Sequence, residues 1–553
     1  MAGHTEGPTM NKQSAIRKMR KAGIGSIVPI YTEVSVDVDV PRYFAKLSRY
    51  GRKDNCILFE SADILEKYAE QSIGSVDPCL KARGKGNKFE IIALNETGIK
   101  FLGFLKGKFD FCGDVKYGKS KITGGLKPIK GVVSEEERLK LPTQADVLRK
   151  IAFAFRPAGK PAGPYAGLFG AISYDFIDQF ERLPKSGKDL LKDPDYEMVF
   201  VNSLFIYNHR KKKLALISNA LLADDDYETA YGGCAKSIEV YRKALKGKAP
   251  KPKMNAKKKL KITTDTTKAE FIKIVTELKK NIVAGDIFQA VPSRTLVVDC
   301  GQEALDIYAR LRKLNPSPYM FYLNFGDGIL LGASPEKYLG VSGGLKKTVE
   351  IKPIAGTRPR GMRNGKVDKA GDDAYARELL ADEKEMAEHT MLVDLARNDV
   401  ARISVPGTRK VINPFTIEKY SHVQHIVSTV KGTLRGDLDA LHAYLASMNM
   451  GTLTGAPKIE AMKLLRKKEK TKRGFYGGSV AYLTPYGEFD SAIVIRSMRI
   501  KKGKAYLRAG AGIVYDSVPE KEFEETERKL ESCLAALSGA RSKAGTGKGG
   551  AEK

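Results

Sequence analysis

Two pairs of glutamates carry the first chemical signal in this chain. In DEKEMAEHTMLVDLARND, Glu385 and Glu388 stand three residues apart, so on a helix both carboxylates leave nearly one face. In PEKEFEETERK, Glu522 and Glu525 repeat the spacing on a helix whose apolar side holds Phe523 and Leu530. By itself each pair reads as a solvated acidic stripe, but two such faces could enclose one cation. Mg²⁺ would suit them, because it takes oxygen ligands in octahedral geometry and keeps several waters, so one or two carboxylates plus an anionic substrate make a sufficient shell. Spacing leaves open whether the two faces meet.

Four segments, IAGTRPRG, MGTLTGAPK, RGFYGGSVAYL and RAGAGIVYD, combine glycine with a hydroxyl or a cation. Each is an ordinary turn alone; their recurrence after residue 350 suggests backbone amides approaching a carboxylate-bearing ligand. His425, in VQHIVSTV, falls by alternation on one face of a strand, where it serves either as packing or as an acid or base near neutral pH. Gly113, Gly118, Lys119 and Ser120 fit the phosphate-cradling pattern G-x-x-x-x-G-K-S, but KITGGLKP follows instead of a helix, so the match is read as chance.

The elements that must position these groups fall into two halves. KGKAPKPKMNAKKKLK has almost nothing to bury and reads as a linker over 246–264. Before it, strand-like runs such as SIVPIYTEVSVDV and MVFVNSLFIYN alternate with helical patterns, giving a domain over 26–245. After it, TKAEFIKIVTELKKNIVAG and a helix from about Asp373 to Asp394 stand among strand pairs, giving a second domain over 265–538. Hairpin-like pairs outnumber strand–helix–strand units, which predicts an α+β fold of large antiparallel sheets forming a sandwich with helices outside. Residues 1–25 read as a frayed basic end in preference to an organellar targeting helix, and 539–553 as a flexible tail.

With 553 residues, 42% of them hydrophobic, the chain can bury a large core. No apolar run reaches a membrane span and no secretory signal is present. Six cysteines without a C-x-x-C pair argue against a disulfide framework or zinc, and a reducing cytoplasm fits. The net charge of +30 invites a nucleic-acid reading, but half of the excess lies in the linker and the two ends. Specific nucleic-acid binding is therefore not expected of the folded body.

Taken in order, GDIFQAVPSR, NPSPYM, GASPEKYL, IKPIAGTRPRG, EKEMAEHTMLVDLARND, GTLTGAPK, RGFYGGSVAY, IVIRS and AGAGIVYDSVPEKEFEET resemble the chorismate-utilising enzymes, most closely their anthranilate synthase component I branch. The match is dense over about 265–537 and looser before it, through ILFES and GLFGAISYDFIDQFERLP. The resemblance implies lyase chemistry: ammonia adds at ring carbon 2 of chorismate as the carbon 4 hydroxyl departs, and pyruvate elimination then gives anthranilate, the committed step toward tryptophan. It assigns Glu388 and Glu525 to Mg²⁺ with Glu385 and Glu522 in support. Tyr476 and Arg496 become the clamp on the pyruvyl carboxylate, where the planar guanidinium fork suits bidentate binding. Gly356, Thr357, Gly510 and Gly512 line the substrate and Lys529 supplies charge. Glu336 becomes the general acid, and His425 and Thr452 serve the later elimination or orient the substrate.

Two positions separate the family's members. Gln289 stands where water-using isochorismate and salicylate synthases carry a base lysine, and Ala355 where aminodeoxychorismate synthases carry a nucleophilic lysine. Neither replacement can act so, which favours anthranilate formation. No G-x-C-x-G turn of a glutamine amidotransferase occurs, so the resemblance implies a separate glutaminase subunit in a heterotetramer of two large and two small chains. ILFES and NPSPYM resemble the family's tryptophan feedback pocket, implying contacts from Glu60, Ser61, Pro318, Tyr319, Met320 and Tyr482; the family's Leu-Leu is Leu58-Phe59 here.

Overall fold

A computed structural model describes residues 11–61, 71–127, 135–159, 166–248, 250–251, 259–344, 346–363, 366–420 and 423–539. Its core is a pair of large, almost wholly antiparallel sheets. The first runs from an edge strand at Ile262–Thr264 through Ser293–Asp299, Lys504–Gly510 and Ser497–Lys501 to Ile329–Ser334 and Tyr319–Asn324, then continues into Cys56–Glu60, Gln71–Ser75 and Ser203–Asn208. The second runs from Ile354–Pro359 through Val423–Thr433, Thr348–Ile351, Lys337–Ser342 and Phe489–Ile493 to Ser479–Leu483, then into Gly167–Ile172, Tyr196–Val201 and Leu80–Lys85.

Both sheets therefore pass from one half of the chain into the other. Met320 pairs with Glu60 and Asn324 with Cys56 in the first sheet. Ser479 pairs with Ile172 and Leu483 with Leu168 in the second. Between the sheets lies an apolar layer including Ile57, Phe169, Val199, Leu204, Phe321 and Val480, and separate apolar clusters hold helices to each outer face. This is the sandwich expected from the hairpin pattern. Its central strands, Gly167–Ile172 and Tyr196–Val201, are buried at every residue, because one face meets the other sheet and the opposite face meets helices.

Three local expectations change. The single helix expected over Asp373–Asp394 is two, Lys369–Ala381 and Glu383–Ala401. The break is Asp382, in extended backbone, whose carboxylate accepts from the Glu385 amide at 3.1 Å and so caps the second helix. The basic N-terminal stretch is not frayed at Lys12–Ala22, which form a helix capped by the Asn11 side chain, with Ala15, Ile16 and Met19 buried; residues 1–10 lie outside the described residues. The expected linker over 246–264 ends in the edge strand Ile262–Thr264. Of the expected tail, 540–553 lie outside the described residues.

The helix expected at 268–283 is present, with a reciprocal capping box between Thr267 and Glu270. The false phosphate loop is a hairpin joining Cys112–Tyr117 to Lys121–Leu126. All six cysteines are free and buried, and among the described residues no helix is long and apolar enough to cross a membrane.

Candidate active site

The two glutamate pairs ride on helices from opposite outer layers. Glu383–Ala401 packs on strands Ile354–Pro359 and Val423–Thr433 of the second sheet, whereas Pro519–Ser538 packs on Lys504–Gly510 of the first and on helices Lys268–Val283 and Ala304–Leu314. Their acidic faces lie within electrostatic reach of each other. Burial pushes the Glu388 carboxyl up to about 7, and the charges of Glu385 on its own helix and Glu522 on the other push the same way. Glu522 is likewise raised by burial, with a further contribution from Glu525.

The four carboxylates are not equally placed. Glu385 is raised by burial but has Arg358 Nη1 at 3.4 Å. Burial also works against ionised Glu525, yet Lys529 at 3.2 Å and Arg528 at 2.9 Å hold it below the ordinary carboxylate range. Lys384 lies 3.9 Å from Glu388. Among the described residues no three His, Cys, Asp or Glu side chains stand together as a metal cage. What the helices offer is an oxygen-only, partly buried donor set with mutual repulsion, which a hard divalent cation would relieve.

Glu336 lies across from this set, only 7% exposed. Burial pushes its carboxyl up to about 8, against the opposing pull of the Thr452 hydroxyl and the charge of Lys529. Thr452 Oγ1 donates to Glu336 Oε1 at 3.0 Å. Lys529 Nζ in turn donates to the Gly510 carbonyl at 3.0 Å. A Cβ on Gly510 would sit 2.6 Å from the Pro292 carbonyl oxygen, so the residue must be glycine for the strands to approach. Gln289 reaches the same place: its Nε2 lies 3.0 Å from where a Cβ on Gly512 would be. Its buried Oε1 has no hydrogen-bond partner among the described residues.

Arg496, Tyr476 and His425 complete the constellation. Burial depresses the Arg496 guanidinium, opposed by Glu525 and Tyr476 nearby. Burial also lowers His425, and the Arg496 charge adds to this, so the imidazole is held neutral. His425 Nδ1 is 2.8 Å from the Gly356 carbonyl and 3.1 Å from Thr357 Oγ1. The carbonyl can only accept, so Nδ1 carries the proton and Nε2 is left as the basic nitrogen. Gly356, at φ 65°, completes the circuit back to the acidic face, because a Cβ there would lie 3.2 Å from Glu385 Oε2.

A second group of predicted residues gathers elsewhere. Glu60, Ser61, Pro318, Tyr319, Met320 and Tyr482 all line one cavity of about 320 Å³, at the seam where the two halves pair in both sheets. Phe59, the departure from the family pattern, lines it too and packs on Phe169 with ring centroids 6.1 Å apart. Glu60 is fixed by the Tyr308 hydroxyl at 2.5 Å and Arg312 at 3.3 Å.

Several neighbours escaped sequence reasoning. Arg358 and Lys384 balance the acidic face, and Asp490, raised by burial and 3.3 Å from Lys337, closes the second cavity. Arg358 stands inside the glycine-bearing IAGTRPRG segment, but its partner on a separate helix has no sequence signal.

The sequence pattern of the family described as chorismate binding enzyme matches residues 113–535. The chain belongs to the chorismate-binding enzymes. The matched span crosses the Lys/Pro-rich stretch, as sheets shared between the halves require. Among relatives of this chorismate-binding enzyme, anthranilate synthase component 1 of Vibrio cholerae is 39% identical over 96% of this chain and 98% of its own. The crystal structure of anthranilate synthase component I from Streptococcus pneumoniae superposes with a TM-score of 0.68 at 30% identity, covering 84% of this chain and 92% of that one. The menaquinone-specific isochorismate synthase of Escherichia coli, 16% identical, shares the fold with a TM-score of 0.60 over 95% of this chain and 99% of its own.

Proposed function

We propose that this chorismate-binding enzyme is the large component of an anthranilate synthase, converting chorismate and ammonia to anthranilate and pyruvate. The observation that carries the reading is the buried Glu336, kept protonated near neutral pH within a pocket of carboxylate-recognising groups. Hydroxide is a poor leaving group, so the carbon 4 hydroxyl needs a proton as it departs, and Glu336 can supply it to give water. Ammonia forms the new bond at carbon 2 in the same displacement, giving aminodeoxyisochorismate. Loss of the carbon 2 proton with cleavage of the enolpyruvyl C–O bond then releases pyruvate and aromatises the ring, a step for which neutral His425 offers Nε2 as base or orienting group.

Tyr476 and Arg496 are the groups to hold the pyruvyl carboxylate. Glu388 and Glu525 would hold Mg²⁺, with Glu385 and Glu522 flanking them; when bound, the ion orients the ring carboxylate and offsets its charge. Gln289 and Ala355 support ammonia as nucleophile and a non-covalent route, because neither can act as base or nucleophile. Ammonia would come from a separate glutaminase subunit in a cytoplasmic heterotetramer. Incubation of the pure chain with chorismate, Mg²⁺ and ammonium should generate anthranilate fluorescence; accumulation of 4-amino-4-deoxychorismate, isochorismate or salicylate would assign a sibling activity instead.

Two outcomes follow from the geometry. Thr452→Val removes the hydroxyl that favours ionised Glu336, so the alkaline limb of kcat/KM should move to higher pH with a modest fall in kcat; a limb that stays put or moves acidward contradicts the pairing. The seam cavity fits tryptophan as a feedback inhibitor, with Ser61 at its polar edge. Ser61→Ala should therefore raise the tryptophan concentration for half-inhibition by about tenfold, the equivalent of ~1.4 kcal/mol for one hydrogen bond, while leaving uninhibited turnover unchanged. Equal inhibition of variant and parent would remove Ser61 from the contact set.

A further inference from the structure

Behind the substrate clamp lies a buried charge cluster that the reaction as described does not use. Glu469, Arg473 and Arg508 are each no more than 9% exposed. Glu469 accepts from Arg473 at 2.6 and 2.9 Å, from Arg508 at 3.0 Å, and from the amide and hydroxyl of Ser293 at 2.9 and 2.7 Å. Two guanidiniums share one carboxylate, so the cluster keeps a surplus positive charge in the buried interior. Such an arrangement is costly to bury and is weak evidence for stability alone.

Its hydrogen bonds point toward the site. Arg473 Nη1 donates to the Leu453 carbonyl at 2.6 Å and Nη2 to the Val291 carbonyl at 2.7 Å. Leu453 follows Thr452, the partner of Glu336, and Val291 lies two residues beyond Gln289. The Arg473 carbonyl accepts from the Tyr476 amide at 3.2 Å. Arg508 Nε donates to Ser293 Oγ at 2.8 Å, and Ser293 is paired with Gly510. The Arg508 guanidinium also lies 6.0 Å from the centre of the Tyr476 ring. Three segments distant in sequence, bearing Gln289, Thr452 and Gly510, are thus tied through one side chain or its immediate partner to the turn that carries Tyr476.

We propose that Arg473 is a positioning residue of this enzyme. It locks the segments bearing Gln289, Thr452 and Tyr476 into one block, and with Arg508 it places net positive charge behind the Tyr476 clamp, where a substrate carboxylate is to be held. The proposal rests on the anthranilate synthase reading above. Only the planar fork of arginine can reach two carbonyls and a carboxylate together; a lysine ammonium keeps the charge but cannot span all three. A shift of this block displaces Gln289, Thr452 and Tyr476 together around the substrate, and a misplacement of ~1 Å can cost about 100-fold in rate.

The test uses the full chain with chorismate, Mg²⁺ and ammonium. Arg473→Lys should lower kcat about 10- to 100-fold with KM for chorismate within about threefold of the parent, since the charge term survives. Arg310→Lys is the control for a merely structural role. Arg310 is equally buried, donates to the Ala536 carbonyl and the Gln302 side-chain carbonyl at 2.6 Å each, and lies on helix Ala304–Leu314, which carries none of the groups placed around the substrate. It should lose melting temperature to a similar degree with kcat unchanged. Ser293→Ala, a milder cut into the cluster, should lower kcat by about threefold and decides the matter if Arg473→Lys yields no folded protein. Parent-like kcat in folded Arg473→Lys, or in Ser293→Ala where that must serve, overturns the proposal, as does an equal kcat loss in Arg310→Lys. A parent chain that forms no anthranilate would instead overturn the reading on which it rests.

Discussion

Glu336→Gln should lower kcat on chorismate by about 10²- to 10⁴-fold, the usual contribution of a positioned general acid, and should abolish the alkaline limb of the pH–rate profile. The parent carboxyl, pushed to about 8 by burial, is protonated below that pH and can donate; above it the proton is gone and the rate falls. Gln keeps the shape and the hydrogen bond to Thr452 but has no transferable proton. The same substitution has a signature independent of turnover. Between the ordinary Glu range near 4.5 and about 8, the folded parent holds a proton that the unfolded chain has released, so its stability falls as pH rises through that window and levels off above it. Gln does not titrate. The melting temperature of the variant should therefore gain on the parent from about pH 4.5 to 8 and keep that advantage beyond. Melting curves that stay parallel across the window would show that Glu336 is not protonated in the folded state.

This acid was legible in the sequence only through the family resemblance. Nothing about a glutamate after Ser-Pro predicts burial; the protonation comes from where strands Ile329–Ser334 and Lys337–Ser342, which belong to different sheets, leave the residue between them. The glutamate pairs were legible from spacing, since the period of the helix fixes which carboxylates share a face. That the two faces approach each other was not, because it depends on two helices anchored to opposite sheets. The sandwich itself could be read from hairpin-like strand pairs. Its continuity across the halves could not, because pairing such as Met320 with Glu60 or Ser479 with Ile172 leaves no local pattern.

The N-terminal helix shows the opposite bias. Its basic residues suggest a frayed end, yet Ala15, Ile16 and Met19 provide a narrow apolar stripe, and the helix packs against strand Ser26–Ser35 and helix Tyr227–Lys243. At Asp382, in turn, the helical pattern of apolar residues continues on both sides and hides the break, although Asp followed by Glu at 383 and 385 is an ordinary helix start. That boundary matters for the chemistry: it puts Glu385 in the opening turn of the second helix, where backbone N–H groups and the helix dipole favour negative charge, and Glu388 one turn further on the same face.

The same acidic face supplies the remaining strong prediction. Glu388→Gln should reduce turnover below detection, because the substitution removes one of the carboxylates proposed to hold Mg²⁺, and two of the remaining three are engaged by cations: Glu385 by Arg358, Glu525 by Arg528 and Lys529. Loss of supporting groups around a metal ligand costs about 10- to 100-fold in affinity, and loss of the ligand itself should exceed that. Isothermal calorimetry of Mg²⁺ binding separates this from a folding defect. The variant should show no Mg²⁺ heat where the parent does, yet it should melt no lower than the metal-free parent, since one source of repulsion against Glu385 and Glu522 has gone. A variant that binds Mg²⁺ as the parent does would place the ion elsewhere. One that melts well below the metal-free parent would mean that Glu388 holds the fold together, which its exposure to two like charges argues against.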